Sequence, residues 1–399
     1  MKISLVGFGN STSSLLRRIC KQHEIFISER RKLKDSELRL AESCGAKVEE
    51  SHSERILDSD LIVMSPGISP FTKVGEMVEK SGKFNSDIGV FFDLIKPNYR
   101  KLVAVTGTNG KTTTTMMINH FLKESGYRTC LCGNNETPVS MLKEEVDYIV
   151  LEISSFQLYW TQNLDVDFGL LLNISPDHLD WHRSFEHYLR SKLKLEKFSN
   201  VIFFGESLDR EPKFSIIDES LIPKHLKKRQ DIENISGAAA LLKAMGFSER
   251  DFFESLRSFK LPSHRLEFVG EINGIKFYND SKATNTHATL KALENFEKVT
   301  LILSGILKEN DLDRFLKVVS EKSEAVILLG DEIQKRIKNI PTVMYRVSNM
   351  DEAVKKALEL SSGVVLFSPA GASFDMYENY KERGDDFKRA FLELVKDGI

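Results

Sequence analysis

Apolar and polar positions along the 399-residue chain fall into two rhythms. Short, nearly unbroken apolar runs alternate with stretches in which apolar residues recur every three or four positions. Near the N-terminus, Lys2–Val6, Ile25–Ser28 and Leu61–Ser65 predict strands, and Thr12–Lys21, Ser36–Ser43 and Thr72–Ser81 predict helices. Such alternation predicts a parallel sheet. Asp93–Arg100, with Pro97 and Asn98, reads as a linker. A second group follows: strand Lys101–Val105, helix Thr112–Glu124, strands Asp147–Leu151 and Gly169–Asn173, helices Phe185–Lys197 and Asn234–Met245. Both later strands are continuous apolar runs, as expected where both faces are covered. Asn200–Arg229 reads as a small hairpin and a charged loop. After Leu261-Pro262, runs at Val299–Ser304, Ala325–Gly330 and Val364–Ser368 alternate with helical stretches at Asp351–Leu360 and Asp375–Val395, a third doubly wound pattern.

Composition narrows this little: 41% hydrophobic and 29% charged residues are globular values. A net charge of −2 argues against nucleic-acid or membrane partners, and no apolar run reaches the roughly 18 residues of a membrane span. The four cysteines have no metal-type spacing and are expected as reduced thiols, with Cys130 and Cys132 on opposite faces of a strand, which suggests the cytoplasm.

Chemistry concentrates where predicted strands end. Val103-Ala104-Val105-Thr106 leads into Gly107-Thr108-Asn109-Gly110-Lys111-Thr112-Thr113 and then a helix. Small residues let successive N–H groups face one anion, and the helix directs its positive end toward it. Lys111 supplies a point charge for outer phosphates, and the Thr112 hydroxyl suits the shell of Mg²⁺. The full phosphate-loop pattern has a glycine where Val105 stands. Glu152 follows a second apolar strand and leads into Ser154-Ser155-Phe156-Gln157; a carboxylate at such an edge suits Mg²⁺. His178, in Ser175-Pro176-Asp177-His178, can offer an imidazole ligand or order a phosphate-bound water. Asn279–Asn285 is either a polar surface loop or a substrate loop. Gly7-Phe8-Gly9 is either a tight turn or a nucleotide turn.

Together these motifs resemble the Mur ligases, ATP-dependent amide-forming enzymes, over nearly the whole chain. The loop Gly107–Thr113 is similar to that family's variant, which lacks the first glycine. Leu151–Leu158, Leu261-Pro262-Ser263-His264-Arg265, Asn279–Asn285 and Ser368–Asp375 look like the D-glutamate-adding branch. The resemblance implies an α/β fold of three domains: a Rossmann-like, UDP-substrate-binding domain (1-97), a P-loop NTPase-like, ATP-binding domain with a parallel sheet (98-261) and a Rossmann-like, amino-acid-binding domain (262-399). It implies ATP held by Gly107, Thr108, Asn109, Gly110, Lys111, Thr112 and Thr113, with Asn234, Arg265 and Asp280. Two Mg²⁺ ions are implied, one on Thr112 and Glu152, the other on His178 and on Lys192 in carbamylated form. Lys111, Glu152, His178 and Lys192 would be the catalytic group. Asn134 would touch the muramoyl-peptide substrate, UDP-N-acetylmuramoyl-L-alanine, and Asn10, Ser11 and Arg30 its uridine diphosphate end. Lys282, Thr284, Lys308, Ser373 and Tyr380 would surround the incoming D-glutamate. The expected protein is a cytoplasmic monomer acting in peptidoglycan precursor synthesis.

The chain departs from the family pattern in places. Asp231 replaces an asparagine, Tyr380 a phenylalanine, Ile306-Leu307 makes a glycine-poor turn before Lys308, and the stretch between Lys192 and Asn234 is short. Two rivals share the phosphate loop: a folylpolyglutamate-type ligase, and a nucleotide-binding regulator without catalysis. The first has no reason to carry Ser154–Gln157, and the second none to keep Lys111, Glu152, His178 and Lys192 together.

Overall fold

A computed structural model describes every residue except 135, 136, 143, 224, 225, 227, 228, 308–311 and 397–399. Each apolar run becomes a strand, and the strands gather into three sheets, giving the expected α/β architecture. By contact the chain divides into two compact units, Met1–Phe259 and Lys260–Ile399.

The first unit holds two all-parallel sheets. One contains β1 (Lys2–Val6), β2 (Glu24–Ser28), β3 (Lys47–Glu49), β4 (Leu61–Met64) and β5 (Phe84–Ser86), in the order β3-β2-β1-β4-β5. The other contains β6 (Tyr99–Thr106), β7 (Thr129–Gly133), β8 (Val146–Glu152), β9 (Val166–Leu171) and β10 (Ser199–Phe204), in the order β10-β9-β6-β8-β7. In this second sheet the winding reverses at β6, between β8 and β9. Ligands of open α/β sheets bind outside the carboxyl ends of strands at such a reversal. One apolar cluster runs through both sheets, from Ile3 and Leu5 to Leu102, Ile149 and Leu151.

Four expectations in this unit change. Residues 200–229 begin with β10, parallel to β9, and not with a hairpin. The helix Phe185–Phe198 directly before it is the crossover that a parallel neighbour requires. The linker Asp93–Arg100 shrinks, because helical backbone runs to Ile95 and β6 starts at Tyr99. The helix expected from Asn234 starts at Arg229. Cys130 and Cys132 share one face of β7, as strand positions two apart must. All four cysteines are free thiols.

The second unit has a six-stranded sheet: β11 (Glu267–Ile272), β12 (Ile275–Asn279), β13 (Val299–Ser304), β14 (Ser323–Leu329), β15 (Val343–Val347) and β16 (Val364–Ala370), in the order β11-β12-β16-β13-β14-β15. Only β11 is antiparallel, joined to β12 through Asn273-Gly274, both at positive φ (51° and 83°). Alternate residues of the central strands pack in separate clusters: Leu301, Leu303, Val326 and Leu328 on one face, Ile302, Ile327, Leu329 and Phe367 on the other. Covering both faces is what makes these strands continuous apolar runs. The last helix starts at Tyr380 and not Asp375, since Gly371–Asn379 is spent on a turn region. Among the described residues no helix is long and apolar enough to cross a membrane.

Candidate active site

The phosphate loop leaves β6 at its carboxyl end and enters the helix Lys111–Glu124. Gly110 precedes that helix at φ +83°, and a Cβ there would lie 1.9 Å from Asn234 Oδ1. Glycine is therefore demanded twice, by the left-handed backbone and by the close approach of Asn234. The loop is braced from the end of β9: Thr108 N–H donates to the Asn173 carbonyl (3.0 Å) and Asn109 N–H to Asn173 Oδ1 (2.9 Å). Thr108 Oγ1 also accepts from Ser175 N–H (3.0 Å) and meets the Tyr188 hydroxyl at 2.8 Å. The Lys111 ammonium folds back over the loop, donating to the carbonyls of Gly107 (2.8 Å) and Thr108 (3.0 Å).

Glu152 ends β8, opposite Val105 in the ladder. It is 2% exposed; Oε1 accepts from Asn134 Nδ2 at 3.1 Å, while Oε2 is buried without a hydrogen-bond partner. Asn134 is fixed in turn by its own N–H on the Glu152 carbonyl (2.8 Å). A buried carboxylate oxygen with nothing to accept from is costly, and a hard divalent cation is a fitting occupant. His178 sits in the turn beyond β9 at φ +53°, its ring edge against Phe156 at 4.7 Å. Burial lowers its pKa, which favours the neutral imidazole a metal needs.

Lys192 comes from the helix Phe185–Phe198 and is 1% exposed. Its Nζ donates to the Gly107 carbonyl at 2.8 Å and to Thr106 Oγ1 at 3.4 Å, above the Tyr188 ring. Burial first, then the nearby Lys111 charge, push its pKa well down. A neutral amine is the form that reacts with CO₂. Glu152 and Asp177 act on it in the opposite sense, so Lys111 and Glu152 both lie within electrostatic range of Lys192. Among the described residues no cluster of three His, Cys, Asp or Glu side chains forms a metal cage.

In the first sheet, Asn10 and Ser11 open the helix after β1, and the exposed Arg30 follows β2, the adjacent strand. The Gly7–Gly9 turn is already internally bonded: Phe8 N–H donates to Glu29 Oε2 (2.7 Å) and Gly9 N–H to Thr12 Oγ1 (3.0 Å). Sequence reasoning missed Asp87, a buried acid whose charged form the Ser11 side chain favours.

In the second unit, Asp280 Oδ1 accepts from Leu266 N–H (3.2 Å) and Oδ2 from Ser368 Oγ (2.7 Å). Its carboxylate thus ties Arg265's neighbour to the Ser368–Asp375 motif. The Lys282 ammonium lies 4.0 Å over the Tyr380 ring, Thr284 is half-buried, and Ser373 is 2% exposed. Lys308 lies outside the described residues. Arg383, also missed, is fully buried and binds Ser281 O (2.8 Å), Ser281 Oγ (3.1 Å) and Gly371 O (3.0 Å). It joins the polar loop to the glycine of the last motif.

Comparison with known proteins supplies the family. The MurD N-terminal domain model matches residues 2–74, the Mur ligase middle domain 105–204 and the "Mur ligase, glutamate ligase domain" 264–371. The chain belongs to the Mur ligase family, and it is an enzyme of the ligase class. Within the family it is similar to the UDP-N-acetylmuramoylalanine–D-glutamate ligases of Thermotoga sp. (strain RQ2), 39% identical with 98% of each chain covered, and of Thermotoga maritima, 39% identical with 100% of each covered. Among solved structures, the MurF ligase from Thermotoga maritima in complex with ADP shares the fold at a TM-score of 0.57, with 14% identity, covering 99% of this chain and 95% of that one.

Proposed function

We propose that the protein uses ATP to join D-glutamate to UDP-N-acetylmuramoyl-L-alanine, in peptidoglycan precursor synthesis. The observation that carries this reading is the grouping of Lys111, Lys192 and the unpartnered Glu152 Oε2 around one phosphate loop, in a chain whose relatives bear that ligase name over their full length. Making an amide from a carboxylate in water requires activation. The γ-phosphoryl of ATP passes to the alanyl carboxylate, ADP leaves, and the amine of D-glutamate displaces phosphate from the acyl phosphate. Lys111 and the first turn of its helix would hold the phosphates. Thr112 and Glu152 would hold one Mg²⁺, and His178 with Lys192 a second; such ions neutralise charge on the transferring phosphoryl group.

For Lys192 the reading is a carbamate: the neutral amine bonds to the carbon of CO₂ and a proton is released to solvent. Lys192→Ala should then lose turnover and regain part of it with added short carboxylates; full activity without them counts against the carbamate. Asn134 would contact the muramoyl peptide, and Asn10, Ser11 and Arg30 the uridine diphosphate. Asn234, Arg265 and Asp280 would contact ATP, and Lys282, Thr284, Lys308, Ser373 and Tyr380 the amino acid. The reading assigns these tasks to residues 1-97, 98-261 and 262-399 of a cytoplasmic monomer. The deciding assay is ADP release with UDP-N-acetylmuramoyl-L-alanine and a panel of D- and L-amino acids, with Lys111→Ala as the inactive control. Release with D-glutamate is expected; release with another amino acid, or none at all, defeats the reading.

A further inference from the structure

We propose that His182 is a positioning residue that fixes the two candidate Mg²⁺ positions relative to each other, holding the end of β8 through Ser155 and the His178 turn through its own backbone. This deepens the reading of Glu152 and His178 as metal-holding residues and rests on it. Glu152 is the last residue of β8, and Ser155 opens the helix Ser155–Trp160 three residues later. His178 stands on a separate segment, at a left-handed position that its surroundings must enforce. His182 N–H donates to the His178 carbonyl at 2.9 Å and closes that turn.

The His182 ring is wholly buried and both its nitrogens are engaged: Nε2 with Ser155 Oγ at 3.0 Å, Nδ1 with His187 Nδ1 at 2.8 Å. A neutral imidazole has one N–H and one lone pair, so the chain Ser155–His182–His187 is satisfied whichever way the hydrogens run. The ring also stacks on Phe156, 5.5 Å between centroids, and Phe156 is the ring against which His178 rests. Tyr188 meets His182 in a T-shaped contact, 5.2 Å between centroids, and carries the contact to Thr108 in the phosphate loop. An apolar side chain would fill the same space. Two directional bonds do more, because they set where the two strand ends stand relative to each other, and partners behind metal-holding groups commonly govern affinity about 10–100-fold.

The test is titration calorimetry of Mn²⁺ into the full-length chain saturated with ADP. His182→Ala and Ser155→Ala should each weaken Mn²⁺ about tenfold. The double variant should be no weaker than His182→Ala alone, since both break one connection. His182→Gln, whose amide can reach Ser155, should recover part of the loss. In the ligase assay the Mg²⁺ concentration for half-activity should rise while kcat at saturating Mg²⁺ changes little. Glu152→Ala separates the two levels. If it weakens Mn²⁺ or lowers the number of ions bound while His182→Ala and Ser155→Ala bind as the unaltered chain does, with lowered melting temperature only, the positioning role is wrong and the metal reading stands. If Glu152→Ala also binds normally, the metal reading fails and this inference with it.

Discussion

Arg383→Lys tests whether the second unit is organised around one buried guanidinium. Arg383 makes three hydrogen bonds, to Ser281 O, Ser281 Oγ and Gly371 O. Lysine keeps the charge but has no planar fork, so at best it satisfies one of the three. Hydrogen bonds to charged groups contribute about 1.5–3 kcal/mol each, so losing two costs about 3 kcal/mol at the low end. Lys260–Ile399 spans 140 residues, for which the unfolding entropy is about 0.3 kcal/mol per kelvin. The transition of this unit should therefore fall by about 10 °C in scanning calorimetry. Burial lowers the guanidinium pKa, but only to about 10, so the charge persists and the shift should be equal at pH 6 and pH 8. On the proposed function Lys282, next to Ser281, contacts the amino acid, so KM for it should rise more than kcat falls. A shift under about 3 °C, or one that vanishes at pH 8, would show that the three bonds do not carry the load assigned to them.

Gly110→Ala places a Cβ onto Asn234 at φ +83°, and should weaken ADP at least about tenfold, in addition to about 1–2 kcal/mol of backbone cost. Gly126→Ala shares the backbone penalty (φ +85°) but meets nothing within 4 Å; if calorimetric ADP titration finds both equally impaired, the contact with Asn234 is irrelevant. Asp87 is buried, which raises its pKa from 3.8 to about 6, so the native state binds more protons than the unfolded chain between those values. Stability should fall as pH rises from about 4 to 6 and level off above, by a total of about 3 kcal/mol. Asp87→Asn should remove that slope and melt higher at pH 7; parallel melting curves for the two proteins would exclude it.

Strand positions were the most legible part of the chain because both faces of each sheet are covered, which turns β8, β13 and β16 into unbroken apolar runs. The antiparallel pair β11–β12 carries an equally plain signal, since Asn273-Gly274 is the two-residue turn that a hairpin prefers. Residues 200–229 misled because an apolar run of strand length has no direction of its own, and only the preceding crossover helix makes β10 parallel. At the site, the strand-end positions of Lys111, Glu152 and His178 followed from pattern. Asp87, His182 and Arg383 did not, since burial of a charged or polar residue is a tertiary event. Arg383 left one trace: it occupies the apolar stripe of its helix with Phe387, Ala390, Phe391 and Leu394, where a charge needs a reason.

The missing glycine at Val105 has a physical cause. Val105 is still within β6, fully buried, paired with Glu152 and Leu170, and its carbonyl accepts from Ile153 N–H at 3.0 Å. No left-handed turn is needed there, so β-branched valine is the better residue. The turn begins at Gly107, and the compact loop brings two lysines to one acceptor: Lys111 and Lys192 each donate to the Gly107 carbonyl at 2.8 Å. Two ammonium groups on one carbonyl repel each other, and burial together with the Lys111 charge pushes the Lys192 amine toward its neutral form, against the pull of Asp177 and Glu152. An anion would relieve the conflict from either side: a phosphate drawing Lys111 off the carbonyl, or a carboxylate formed on Lys192. On the proposed function both occur, so the strain between two lysines becomes a preference for the nucleotide-bound state.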